Sequence, residues 1–186
     1  MIVETGVLYG ASSAHILGAL AANREGELYS IDLRHDANEP ESGFLVPDGF
    51  QDRWHLIIGD ARRELPILLE QVPAIDCFHH DSLHTFQHMT FEYRTALPHL
   101  RPGGVLSSHD VLVAHSLREI FQRNAFPVFC EQQGLQWTTF QNHGFAVLNG
   151  GGGAKREMRS GFMSGDAPGL AAAPTRDRSA ENGSSR

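Results

Sequence analysis

Hydrophobic spacing along the chain switches between two periods. Short apolar runs at Met1–Thr5, Glu27–Asp32, Trp54–Ile58, Ile75–His80 and Val105–Ser108 have the length and composition of strands. Helical spacing lies between them. Ser12–Asn23 carries Ile16, Leu17 and Leu20 on one side, with Ser12 placed as the N-cap. Arg62–Gln71 predicts a second helix, in which Pro66 is tolerable only near the first turn. Thr85–Leu97 predicts a third, with Phe86, Met89, Tyr93 and Leu97 near the required spacing and Pro98 ending it. Ser116–Asn124 predicts a fourth. Arg34–Arg53 contains Pro40, Gly43, Pro47 and Gly49 and reads as a long loop, and Arg101–Gly104 reads as a turn. Leu135–Phe140 and Gly144–Leu148, joined by Gln141-Asn142-His143, read as an antiparallel hairpin.

Repeated strand–helix–strand units imply an α/β fold: a doubly wound, mostly parallel, Rossmann-like sheet with right-handed crossovers. The final hairpin adds antiparallel strands to it. A parallel sheet needs cover on both faces. Here the first strand begins at Met1, and the link between the second and third strands has little helical pattern. One face is therefore thinly covered. Either the chain is a shortened form that lacks N-terminal helices, or a second subunit covers that face as a homodimer.

Charge sharpens the division of the chain. The 186 residues carry a formal net charge of −7. Residues 1–150 hold nine arginines, eighteen acids and no lysine, a net of −9, whereas residues 151–186 have a net of +2. A glycine run, Gly150–Gly153, opens the second part, and Ala, Gly, Ser, Pro and Arg dominate beyond it. Such a segment cannot bury enough apolar surface to offset its ordering entropy. The expected organisation is a folded domain over 1–149 and a disordered tail over 150–186. The acidic body argues against nucleic acid as a partner. No apolar run approaches the ~20 residues of a membrane span, and no signal peptide opens the chain, so a cytoplasmic location is expected. Two cysteines, Cys77 and Cys130, exclude a disulfide scaffold. Of eleven histidines, seven lie between His79 and His115.

Candidate chemistry sits at the strand ends. Glu4-Thr5-Gly6, followed by Gly10, lies at the first strand-to-helix junction. Glycines there allow a tight turn and close approach to a ligand, and the helix opened by Ser12 offers free amide groups. Asp32 ends the second strand, where an acid can accept hydrogen bonds from ribose hydroxyls. Asp60, after Gly59 at the end of the third strand, can contact an adenine edge. Ligands of such sheets bind outside the carboxyl ends of the strands.

This constellation resembles the class I S-adenosylmethionine-dependent methyltransferases. The matching pieces are Val3-Glu4-Thr5-Gly6 with Gly10, Tyr29-Ser30-Ile31-Asp32, Gly59-Asp60-Ala61, Ile75-Asp76-Cys77-Phe78 and Leu100-Arg101-Pro102-Gly103-Gly104. The resemblance implies that Glu4, Gly6, Gly10 and Ser12 frame the cofactor's methionine end, Asp32 its ribose and Asp60 its adenine. An NAD-linked oxidoreductase is the competing reading, but its Gly-x-Gly-x-x-Gly fingerprint is absent. A truncated, inactive methyltransferase-like domain is a third.

A second cluster is His79-His80-Asp81-Ser82-Leu83-His84, with His109-Asp110 after the next strand. Asp81 and Asp110 close adjacent strands, a sensible placement for a hard divalent cation such as magnesium. Such an ion can polarise a substrate hydroxyl for attack on a methyl group. This part resembles the metal-assisted, macrocin O-methyltransferase-like branch, which acts on sugar hydroxyls of small molecules. The resemblance implies Asp81, His109 and Asp110 at the metal. It also implies a base three residues after Asp81. The catechol type has lysine there; residues 1–150 contain none, which leaves His84 as the candidate general base beside catalytic Asp81. Two departures stand out. Leu83 replaces an Asp common in relatives, and His109 replaces an acid, which favours zinc, iron or manganese. Of His79 and His80, one is expected in packing and one toward the cofactor. His88, four residues after His84, could join it at a metal.

Overall fold

The computed structural model describes residues 1–33, 41–72, 74–111 and 124–149, all within one compact unit spanning Met1–Gly152. Seven strands form one sheet: β1 (Ile2–Thr5), β2 (Leu28–Asp32), β3 (Trp54–Ile58), β4 (Ile75–His80), β5 (Leu100–Ser108), β6 (Gln136–Phe140) and β7 (His143–Val147). Their order is β3-β2-β1-β4-β5-β7-β6. The first five pair in parallel, and β7 pairs antiparallel with both β5 and β6. The order reverses between β1 and β4, the switch point at which sheets of this kind bind ligands, outside the carboxyl ends of the strands. The sequence expectation of a doubly wound sheet with a terminal hairpin is what the chain forms.

Helices α1 (Ala11–Asn23), α2 (Ala61–Gln71), α3 (Phe86–Ala96) and α4 (Ala125–Gln133) complete the described elements. Strand alternation sends Val3, Ile31, Phe78, Leu106 and Ala146 into the larger apolar cluster, with Leu65 and Leu69 of α2, Tyr93 of α3 and Phe129 of α4. A smaller cluster joins Leu17 and Leu20 of α1 to Leu28 and Val46, with Ile2 and Trp54 packed against it. The two clusters are the two faces of the sheet.

Several local expectations are corrected. The N-cap of α1 is Gly10, not Ser12, because φ of +88° suits a glycine there. Ser12 lies in the first turn and uses its hydroxyl elsewhere. Pro66 sits in the second turn of α2, not the first; burial of Leu65, Leu68 and Leu69 holds the helix despite the missing donor. Strand β5 runs through Arg101–Gly104, the expected turn, with a pairing irregularity between Ile75 and Cys77 absorbing the extra residues. Helix α4 was masked in the sequence by Pro127, which occupies the first turn, where its missing N–H costs nothing. The expected helix Ser116–Asn124 falls almost wholly on residues 112–123, outside the described residues, as do 34–40 of the long loop and the tail from Gly150. The rest of that loop contains a 3-10 turn at Asp48–Arg53. No described helix is long and apolar enough to cross a membrane.

Candidate active site

The crevice at the strand ends opens into a cavity of about 690 Å³, lined by Gly6–Leu8, Asp32, Asp60, Ser82–His84, His109 and Asp110, among others. Its first wall follows β1. Gly6 has φ of +82°, and a Cβ there would stand 2.1 Å from the carbonyl oxygen of Asp81. The glycine is therefore demanded by protein backbone: the turns after β1 and β4 touch. Gly10 is similar, since its Cβ would meet Cα of Gly43 at 2.7 Å. Asp32 accepts from the Leu8 amide at 3.1 Å, which ties the β2 end to the glycine turn. Asp60 lines the cavity and also caps α2, accepting from the Arg62 amide at 2.8 Å.

The sequence grouped Glu4, Gly10 and Ser12 with this cavity, but none of the three lines it. Glu4 is fully buried, and its carboxylate accepts from Ser12 and Ser13 at 2.6 Å and from Ser30 at 2.9 Å. Burial raises its pKa, against the pull of those three hydroxyls. Glu4 thus pins the start of α1 to β1 and β2, and Ser12 is its partner in that task.

The other wall brings together the second predicted cluster. His109 Nδ1 lies 2.8 Å from Asp81 Oδ1. His84 Nε2 lies 3.4 Å from the same oxygen and 3.9 Å from Asp110 Oδ2. Asp110 adopts φ of +55° and accepts a hydrogen bond from Asn142 of the final hairpin. Burial opposes the charge on Asp81, but His84 and His109 outweigh it and hold the carboxyl below its ordinary value. One ligand atom each from Asp81, His84 and His109 lies within 4.8 Å of the others. Nε2 of His84 is buried there without a hydrogen-bond partner among the described residues. Carboxylate and imidazole donors grouped in this way suit a divalent cation. Of the residues the resemblance implied at the metal, Asp81 and His109 fall in this trio and Asp110 stands beside it, 3.7 Å from His109, while the unpartnered Nε2 of His84 can take either a proton or the cation.

Residues 3–111 match the family model described as a methyltransferase domain. The chain belongs to this family. No curated protein matches it significantly. Among solved structures, this methyltransferase domain is similar to the O-methyltransferase TomG from Streptomyces achromogenes, in complex with S-adenosylmethionine. That similarity has 19% identity and a TM-score of 0.61, covering 80% of this chain and 73% of that one. A Bacillus cereus O-methyltransferase in complex with S-adenosylhomocysteine gives 18% identity and a TM-score of 0.60 over 80% and 73%. The MycE methyltransferase of mycinamycin biosynthesis, in complex with Mg, S-adenosylhomocysteine and mycinamycin VI, gives 17% identity and a TM-score of 0.58 over 80% and 44%. At these identities the likeness is one of fold.

Sequence reasoning missed the group that underlies the methyltransferase cleft. Glu92 of α3 is fully buried and accepts from Thr5 at 2.6 Å, His80 Nδ1 at 2.5 Å, Ser82 at 2.8 Å and His88 Nε2 at 2.8 Å. Thr5 precedes the glycine turn and Ser82 follows Asp81, so one carboxylate joins both walls. Burial would raise its pKa, but the hydrogen bonds from His80 and His88 reverse this and hold it at about 2. His80 is thus the packing histidine. His79 lies on the opposite sheet face, bonded to Ser107 at 3.1 Å, with burial pushing its pKa down to about 4. His88 serves Glu92, and because α3 starts at Phe86, His84 does not share its helical face. An acid four residues after His88 on the same helix was the available signal; its polar character hid a buried position.

Proposed function

We propose that this methyltransferase uses S-adenosylmethionine and transfers the methyl group to a hydroxyl of a small molecule, with a divalent cation assisting. The observation that carries the reading is the single cleft running from the Gly6 turn and Asp32 to the Asp81–His84–His109–Asp110 cluster. The named binding partners of TomG and MycE support it.

Gly6–Leu8 and Asp32 would hold the amino acid and ribose parts of the cofactor, and Asp60 would face the base. Asp81, His109 and Asp110 would hold the cation. Bound in these places, the cofactor supplies an activated methyl group and the cation polarises the acceptor hydroxyl. His84 Nε2 takes the hydroxyl proton, since it is buried beside Asp81 and has no hydrogen-bond partner among the described residues. Asp81 and Asp110 stabilise the imidazolium that results. Catalysis then rests largely on holding the two reactants in line.

Calorimetry of the full chain with S-adenosylhomocysteine and with NAD tests the cofactor. The expected result is binding of the first only; binding of NAD alone would replace the reading with an oxidoreductase.

A further inference from the structure

Asp110, the carboxylate beside the cation trio, is held from outside its own strand. Strand β5 ends at Ser108, and its ladder to β4 runs one residue further, with the His109 amide donating to the His80 carbonyl at 2.8 Å. The Val111 amide donates instead to the Asn142 carbonyl of the β6–β7 turn, at 3.1 Å. Asp110 therefore turns, in its left-handed conformation, between two fixed backbone points. Its side chain is partly exposed and would be free to rotate without an anchor. Asn142 supplies that anchor: its NH2 group donates to Oδ1, and Oδ2 is left toward His84 Nε2 at 3.9 Å. The following residue, His143, lays its ring against His109, with 4.6 Å between centroids. Successive hairpin residues thus hold successive residues of the site.

We propose that Asn142 is a positioning residue for the cation site. It acts through Asp110, holding one carboxylate oxygen so that the other stays turned to the cation. The assignment rests on the reading above that Asp81, His109 and Asp110 hold a divalent cation. Turn geometry alone does not account for this asparagine. Phe140 pairs with His143, so Gln141 and Asn142 form a two-residue loop. Asparagine is favoured in such loops where φ is positive. Here the left-handed residue is Gln141, at φ of +51°, and not Asn142. The main-chain bond to Val111 needs no particular side chain either. What the side chain adds is a donor without charge. A lysine or arginine in its place would pair with the carboxylate and repel the cation, whereas a neutral NH2 orients the acid and leaves its charge available. A donor fixed in advance spares the cation the cost of ordering it.

The test is calorimetric titration of manganese chloride into the full chain and its variants. Asn142→Leu keeps the bulk and removes the donor. Asn142→Ser is too short to reach Asp110 and suits a turn, so it carries the test if the first variant fails to fold. Both are expected to bind manganese about tenfold more weakly or worse, the usual effect of removing a hydrogen bond that orients a metal ligand. S-adenosylhomocysteine affinity should stay within about twofold. Adding Asn142→Leu to Asp110→Ala should cost no further manganese affinity, because the asparagine acts through that carboxylate. Trp137→Leu loosens the same hairpin where it packs on Phe126, far from Asp110 in the turn. It should lower stability in urea and leave manganese affinity within about twofold of the parent. Unchanged manganese affinity in both Asn142 variants overturns the proposal. A double variant clearly weaker than Asp110→Ala does so too, since Asn142 then works elsewhere. An equal loss in Trp137→Leu would reduce the asparagine to a structural part of the hairpin. If the parent binds S-adenosylhomocysteine but no manganese, or if Asp110→Ala keeps the parent's manganese affinity, the cation reading itself fails at that point and takes the proposal with it.

Discussion

Replacing Glu92 by Gln removes a charge while nearly preserving shape, and the structure sets the scale of the loss. The carboxylate accepts from Thr5, His80, Ser82 and His88, all within 2.8 Å. Gln keeps one acceptor oxygen and turns an NH2 toward the remaining donors. A buried polar group left unmatched costs about 1–3 kcal/mol. The proton linkage gives a similar figure. The folded pKa is about 2 against an ordinary 4.5, which corresponds to on the order of 3 kcal/mol. The two routes converge on a loss of about 2–4 kcal/mol at pH 7. The sign follows from the depressed pKa: the contribution is complete above pH 4.5 and fades as pH falls toward 2. Urea denaturation of parent and variant, followed by the fluorescence of Trp54 and Trp137, measures the gap. It should narrow by about 1 kcal/mol between pH 7 and pH 4. A gap below about 1 kcal/mol at pH 7, or one that pH does not change, refutes the carboxylate's role. Because Thr5 and Ser82 adjoin the two cleft walls, the variant should also bind S-adenosylhomocysteine about tenfold more weakly, a coupling of about 1.4 kcal/mol.

Glu4 should behave in the opposite way. Its pKa is raised by burial, so it weakens the fold as pH rises above the carboxylate's ordinary 4.5. Glu4→Gln, which can still pair with the serines, should equal or exceed the parent in urea at pH 7; a clear loss of stability would show that the charge is wanted. Gly6→Ala forces a Cβ to 2.1 Å from the Asp81 carbonyl at positive φ, so it should lower stability by several kcal/mol on the scale of backbone strain and overpacking. A melting temperature within about 2 °C of the parent would contradict the close contact. His84→Ala separates base from ligand. Manganese affinity by calorimetry should persist while methyl transfer is lost; loss of manganese affinity would move His84 into the metal shell. Asp81→Ala should abolish cation binding and leave S-adenosylhomocysteine affinity largely unchanged.

The alternation of apolar runs and helical spacing determined the strand sequence, the parallel sheet and the antiparallel ending. Side-chain period reports directly which face is buried, so these followed from local order alone. The acids that close strands were legible for the same reason, since a strand end fixes the rim on which Asp32, Asp81 and Asp110 fall. Caps and bulges were not. Gly10 rather than Ser12 caps α1 because backbone close to Gly43 decided the turn, and Pro127 hid a helix that the burial of Phe126 and Phe129 holds in place. The fates of polar residues needed tertiary structure most of all. Glu4 and Glu92 look alike in sequence, as acids beside hydrophobic runs. Three-dimensional neighbours made one a disfavoured charge held by three serines and the other a favoured charge between two histidines. The energy of a buried charge depends on donors brought from distant segments, and spacing along the chain carries no record of them.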